Sequence, residues 1–406
     1  MKNFIKNLGP GVLVSAAFIG PGTVTVCTLA GVRFQYGLLW ALILSILACV
    51  ILQEMSARLG LISQKGLSEI IREEIKGRTF KILAIALIFS AIVIGNAAYE
   101  AGNITGAVLG LEAVFGKGNL QAGAFSLNLW SALIGGIAFI LLFLGSYKAL
   151  EKVFIALVLL MSIAFLVTAV ITKPDILGIL KGFIPGHFAE GTLTVIALVG
   201  TTVVPYNLFL HASLVSEKWK DAAELPVAQK ELRVSIFLGG AVSMAIVICA
   251  AGAGLTNVEN AADLAVGLEP LFGKFATWFM AIGLLAAGIT SSITAPLAAA
   301  YVVKGCFGWK GGMGSKRFKA VWATVLVLGV IFSSLQIKPI EIIQFAQIAN
   351  GILLPVIAIF LFWIVNKRSV LGEHRNSVRQ NILGLLVIAL AVFLGLKSVI
   401  TVLQNL

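Results

Sequence analysis

The chain has 406 residues, 59% of them hydrophobic and 12% charged, with a formal net charge of +12. A soluble protein would be about 45–50% apolar and about 25% charged, so a large water-soluble domain is excluded. The basic balance has a simpler source than nucleic acid, because basic residues collect on the cytoplasmic side of membrane proteins.

Apolar runs long enough to cross a bilayer recur along the whole sequence. Eleven spans are predicted, at about 10–31, 37–59, 81–110, 128–146, 149–172, 191–214, 233–254, 271–304, 319–337, 341–365 and 382–404. Lys2 and Lys6 precede an apolar stretch too long for a signal-peptide core, so the first span reads as uncleaved. Cys27, Cys49, Cys249 and Cys306 show no disulfide or metal-site spacing.

The first span is interrupted in Ala16-Ala17-Phe18-Ile19-Gly20-Pro21-Gly22-Thr23-Val24-Thr25. Proline removes a backbone donor and clashes with the preceding turn, so the helix is expected to open there. Opened backbone inside a bilayer is tolerated only where it is buried in protein or lines a cavity. In the second span, Glu54 and Arg58 are an i, i+4 pair at one end and read as an interfacial ion pair. The third span carries Asn96, Glu100 and Asn103, spaced i, i+4, i+7 on one helix face. A carboxylate at that depth reads as a proton or cation relay; the alternative is an asparagine-braced helix contact.

The sixth span repeats the interruption in Val199-Gly200-Thr201-Thr202-Val203-Val204-Pro205-Tyr206-Asn207. Carbonyls of Ile19, Gly20, Thr202 and Val203 are expected to lose helical partners and turn inward, where carbonyls and half-helix ends suit a cation. Thr23 and Tyr206 add hydroxyls. Neither break contains a carboxylate, methionine or histidine. His211, one turn beyond Asn207, is either a packing residue or part of a permeation or proton path. Thr290-Ser291-Ser292-Ile293-Thr294 in the eighth span is expected to bond back to its own helix or to brace a neighbouring one. In the tenth, Glu341, Gln344 and Gln347 form a polar stripe, with Gln347 deepest; substrate contact and interhelical bonding both fit.

Counting Lys and Arg with the N-terminus inside gives 23 on the inner side and seven outside, which favours N-terminus in and C-terminus out. The two breaks lie about 183 residues and five spans apart. Five is odd, so spans 1–5 (1–172) and 6–10 (191–365) are expected to be inverted repeats, with 382–404 an added helix. The fold class is therefore an all-α polytopic membrane protein. No Walker motif, zinc spacing or Ser-His-Asp arrangement appears, so the chain does not read as an enzyme or ATPase, and no cofactor is expected.

Several ordered blocks resemble the NRAMP family of proton-coupled metal transporters. They are Leu8-Gly9-Pro10-Gly11, Tyr36-Gly37-Leu38-Leu39-Trp40, Ala57-Arg58-Leu59-Gly60, Val204-Pro205-Tyr206-Asn207-Leu208-Phe209-Leu210-His211, Ala346-Gln347 with Leu354-Pro355, and Asn366-Lys367-Arg368 with Leu371-Gly372-Glu373. The resemblance implies the LeuT-type fold, with helices 1 and 6 unwound at the ion site. The departures fall at that site. The family's Asp-Pro-Gly-Asn is here Gly20-Pro21-Gly22-Thr23, its sixth-helix methionine is Val204, and its first histidine there is Tyr206. Gln347 and His211 stand unchanged. The family's third-helix acid pair aligns with Glu100 and Asn103, and its ninth-helix arginine has no clear match, with Arg317 and Lys319 nearby.

These substitutions leave three readings. The first is a secondary transporter of a hard or still-hydrated cation such as Mg²⁺, since stripping water from a divalent ion without supplying charge is very unfavourable. The second keeps fold and alternating access but moves another small solute. The third is a non-transporting, sensor-like membrane protein. The expected substrate-binding set is Gly20, Thr23, Thr202, Val203, Val204, Tyr206 and Gln347. The expected proton or ion pathway is Glu100, Asn103, Asn96 and His211. The expected partners are the transported solute and the lipid bilayer, with no nucleic acid, in a monomer of the bacterial inner membrane.

Overall fold

The computed structural model describes Pro10 and residues 19–122, 125–145, 148–335 and 337–404. The stretch Ala16-Ala17-Phe18, with most of the first half of the first span, lies outside the described residues.

Thirteen helices carry the argument. They are α1 (Pro21–Phe34), α2 (Leu39–Ser63), α3 (Leu67–Glu74), α4 (Arg78–Phe115), α5 (Leu129–Leu144), α6 (Lys148–Ile171), α7 (Thr192–Thr202), α8 (Pro205–Lys218), α9 (Leu225–Ala251), α10 (Ala276–Phe307), α11 (Lys316–Ser333), α12 (Pro339–Val365) and α13 (Val378–Gln404). Among the described residues, eight helical stretches are long and apolar enough to cross a membrane, and Leu129–Leu144 is a shorter apolar helix. α1 is described only from Pro21, and α11 starts with Lys316, Arg317 and Lys319, so neither half-span nor charged helix reaches that length of apolar chain.

Local chemistry sets the helix starts. α1, α8 and α12 begin with proline, whose missing N–H is no loss in a first turn. Asn128 caps α5 by accepting from the Ser131 amide at 3.1 Å. The same residue closes a feature that hydropathy does not anticipate, an antiparallel hairpin of β1 (Asn119–Ala122) and β2 (Phe125–Asn128), with Asn119 opposite Asn128. Large aliphatics such as Leu159, Ile163, Ile382 and Leu386 stand exposed, the pattern of a lipid-facing surface. All four cysteines are buried free thiols.

The packing is reciprocal. α1 lies on α9 and α8 lies on α2; α12 and α11 lie on α4, while α6 and α5 lie on α10. Exchanging each helix with its counterpart five spans later converts the first contact of every pair into the second. α4 and α10, counterparts of one another, form the most extensive contact at the centre.

Segments counted as inner meet at one end of the molecule. There Arg58 holds Glu54 through Nε–Oε1 at 3.0 Å and Nη2–Oε2 at 3.1 Å. It also donates to the His374 carbonyl and to Asn376 Oδ1, both at 2.6 Å. Gln229 of α9 donates to Glu54 Oε1 at 2.8 Å, and Asn376 donates to Asn381 of α13 at 3.0 Å. Arg58 is only 3% exposed, so the expected interfacial pair is instead a buried network joining α2, α9 and the connection into α13.

Candidate functional site

The second proline break is an interruption of helix; at the first, α1 begins at Pro21, and residues 11–18 before it lie outside those described. Gly20 precedes α1 in an extended conformation (φ −104°, ψ −174°), with no side chain to cap the helix. α7 ends at Thr202, and Val203 and Val204 run non-helically into Pro205. Contrary to expectation, the Gly20 carbonyl keeps a helical partner, accepting from the Val24 amide at 3.2 Å in the first turn of α1. Thr202 O receives the Cys49 thiol at 3.4 Å. Thr202 Oγ1 bonds back to Leu198 O at 2.9 Å, so its hydroxyl serves its own helix. Val203 and Val204 are fully buried.

The two breaks are joined by a hydroxyl pair, Thr23 Oγ1 to Thr201 Oγ1 at 2.7 Å. Gln347 of α12 closes the group. A methyl built on Gly22 would lie 2.2 Å from Gln347 Nε2, and one on Gly200 would lie 1.9 Å from the Gln347 carbonyl oxygen. Two glycines, one from each broken helix, therefore let α12 come this close. Gln347 Oε1 is buried without a hydrogen-bond partner, as are both polar atoms of the Asn207 amide, two residues into α8. Pro355 has no N–H to offer the Gly351 carbonyl, one turn beyond Gln347.

A cavity of about 540 Å³ opens on the side of Gln347 nearer the start of α12. It is lined by Arg33, Glu190, Thr194, Glu341, Gln344 and Lys397, among others. Gln344 and Ile348 of its lining flank Gln347 in sequence.

The third-helix residues form a second centre. Tyr206 meets Tyr99 edge to face, with ring centres 5.4 Å apart, which links the α8 break to α4 one residue before Glu100. Glu100 is fully buried, and Asn103 Nδ2 donates to its Oε2 at 3.3 Å. Asn96 lies a turn away and donates to the Ala295 carbonyl of α10 at 2.8 Å, bracing the two helices. Arg317 and Lys319 are not partners of Glu100. They lie over the rings of Trp309 and Phe143, and α11 presents Gly329 to the Glu100 side chain. His211 belongs to neither group. Its Nδ1–H donates to Gln53 Oε1 of α2 at 2.8 Å, and the neighbouring Ser56 hydroxyl donates to the Leu208 carbonyl.

Thr23, Gln347 and the break backbone thus come together, with Tyr206 leading away to Glu100. Thr201, Gly200 and Asn207 are additions to the expected set. Thr201 was legible only as part of the break, since its partner lies 178 residues away.

Among the described residues, no group of three or more His, Cys, Asp or Glu is placed to hold a metal ion. The donors at the breaks are hydroxyls, carbonyls and amides, all neutral.

The family described as natural resistance-associated macrophage protein-like matches residues 11–401. The chain belongs to the Nramp family. Relatives include a divalent metal cation transporter MntH of Bacillus subtilis, 28% identical over 97% of this chain and 92% of that protein. The MntH of Caldanaerobacter subterraneus is 26% identical over 97% of this chain and 93% of that protein. A solved manganese transporter of Eremococcus coleocola has a TM-score of 0.76 at 21% identity, covering 97% of this chain and 85% of that one. Mhp1, a nucleobase-cation-symport-1 family transporter, has a TM-score of 0.59 at 13% identity, covering 98% and 93%. At those identities the likeness is one of fold. This Nramp chain is a multi-pass membrane protein and not an enzyme.

Proposed function

We propose that this Nramp chain is a secondary-active transporter that works by alternating access and moves a cation. A hard or hydrated divalent ion such as Mg²⁺ is preferred over Mn²⁺ or Fe²⁺. The observation that carries this reading is the neutral oxygen-rich donor set of Thr23, Thr201, Gln347 and the break carbonyls. Gly20 and Val204 stand where the family resemblance places a carboxylate and a soft sulfur. Without fixed negative charge, full dehydration of a divalent ion is not repaid. Mg²⁺ gives up its waters reluctantly and keeps several when bound, and neutral donors can bond to those waters. A thioether would select softer transition metals, and none is present at Val204.

The working unit comprises two repeats, 1–172 and 191–365, with 382–404 added. Reciprocal packing of α1 on α9 and α8 on α2 supports this division. The charge count and the clustering of inner segments around Arg58 support an N-terminus in the cytoplasm and a C-terminus outside. The bacterial inner membrane suits the relatives' sources, and a monomer is the simplest assembly.

A second reading, the same fold carrying a different small solute, draws support from the absent carboxylate and from the fold shared with Mhp1. Purified protein in liposomes separates the two. Influx of Mg²⁺, Mn²⁺ and Ca²⁺ is followed with ion-sensitive dyes, alongside thermal stabilisation by a metabolite panel. Saturable Mg²⁺ influx well above Mn²⁺ influx is expected. No divalent influx together with stabilisation by a metabolite replaces the first reading with the second.

A further inference from the structure

We propose that Glu100 and Ser292, with the backbone freed by Pro296, form a binding site for a monovalent alkali cation, tested here as Na⁺. Its occupancy is transmitted to the α8 break through Tyr99 and Tyr206. Coupling to transport rests on the secondary-transporter reading; occupancy of the site does not.

The site is built where α4 and α10 cross closest. A methyl on Gly288 would lie 2.8 Å from the Asn103 carbonyl oxygen, Ser292 stands beside Glu100, and Asn96 bonds to Ala295 O. Residue numbers fall along α4 as they rise along α10, so the helices run antiparallel and Glu100 faces Ser292 squarely. Among the described residues, the carboxylate has no salt-bridge partner. α11 offers it Gly329, where a methyl would lie 2.4 Å from Glu100 Cγ. The nearest basic residue on α11, Lys319, is ten residues away, about 15 Å along the helix, and is engaged with Phe143. A buried carboxylate needs a countercharge, and one negative charge matches one monovalent ion. A divalent ion would call for a second carboxylate, and the neighbour on this face is the neutral Asn103.

The oxygens around it fit a cation better than a proton. Thr290 and Thr294 bond back to α10 carbonyls at 2.9 Å, as their positions predict. Ser291 and Ser292 do not. The Ser291 hydroxyl is buried without a hydrogen-bond partner, and the Ser292 hydroxyl lies close to the Glu100 carboxylate without a well-formed hydrogen bond. Pro296 lies four residues after Ser292 inside α10 and has no N–H, so the Ser292 carbonyl loses its regular helical donor. A proton on Glu100 would remove the charge and donate a hydrogen bond to one of these oxygens only. A hard alkali ion neutralises the carboxylate and accepts hydroxyl and carbonyl oxygens together, as discontinuous transporter helices do elsewhere.

The test is the thermal stability of the purified full chain in NaCl, KCl and N-methyl-D-glucamine chloride at equal ionic strength. A saturable stabilisation by Na⁺ is expected. Ser292→Ala should raise the half-saturating concentration roughly tenfold, and Glu100→Gln should abolish the response. Both variants are near-isosteric, and Ser292→Ala gives up at most its contact with Glu100, so folding is retained. Equal stability in all three salts, or a Na⁺ response unchanged in both variants, overturns the site. In liposomes a Na⁺ gradient should drive solute uptake by the wild type. Uptake driven by a pH gradient alone, with no Na⁺ response, assigns Glu100 to a proton and also overturns the site. Na⁺ stabilisation with divalent influx that does not respond to Na⁺ keeps the site and removes its coupling to transport, whereas the transport reading itself falls only if no divalent influx is seen.

Discussion

At the scale of single residues, the contacts of Gln347 with Gly22 and Gly200 differ in what can yield. A methyl at Gly200 meets the Gln347 carbonyl, which is backbone and cannot move without shifting α12. Gly200→Ala should therefore destabilise by about 1–3 kcal/mol or more, seen as a fall in thermal midpoint. A methyl at Gly22 meets the end of the Gln347 amide, which can swing aside. Gly22→Ala should keep its stability and lose transport instead. Gln347→Ala should likewise lose transport, with a fall in thermal midpoint smaller than that of Gly200→Ala from the cavity left by its buried side chain. Equal loss of stability in all three variants would show that Gln347 is a packing residue only.

At the scale of helices, the buried Arg58 network is the strongest polar tie between elements. Removing one partner of a buried pair leaves the other charge uncompensated, at a cost of about 3–5 kcal/mol. Arg58→Ala strands Glu54 with only Gln229, so thermal unfolding should show a loss of that order, whereas Lys65→Ala, whose pair with Glu73 is exposed, should change stability by less than about 1 kcal/mol. Near-equal effects would contradict the assigned role of burial. These elements also show what the sequence can and cannot reveal. Hydropathy located α2, α4, α10 and α12 within about five residues, because burial in lipid makes whole runs apolar, but it started α9 at 233 where the helix begins at Leu225. Proline marked both breaks, since its missing N–H is a local property. The Glu54–Arg58 spacing was visible, but its burial was not, because the His374 carbonyl that completes it lies 316 residues away. The hairpin at Asn119–Asn128 was missed because four-residue strands leave too little alternation to read. The run around Ser291 and Ser292 was expected to bond back to its helix or brace a neighbour; the flanking threonines bond back, and Ser292 instead stands beside Glu100 of α4.

At the scale of the whole molecule, two glycines at the proline breaks let α12 come close to both, and the proposed solute site lies there. The exchange of α1 on α9 for α8 on α2 supports two inverted repeats, which under the proposed alternating access would rock about that point. In the proposed function, charge and softness at Gly20 and Val204 decide what passes through. Gly20 has φ −104°, a conformation open to any residue, so a carboxylate can be placed there without backbone strain. The most direct measurement is therefore Mn²⁺ and Mg²⁺ influx into liposomes carrying either the wild type or the Gly20→Asp, Val204→Met double variant. The account predicts that the wild type carries Mg²⁺ and little Mn²⁺, and that the double variant gains saturable Mn²⁺ influx. Saturable Mn²⁺ influx through the wild type, unchanged by the two substitutions, would contradict it.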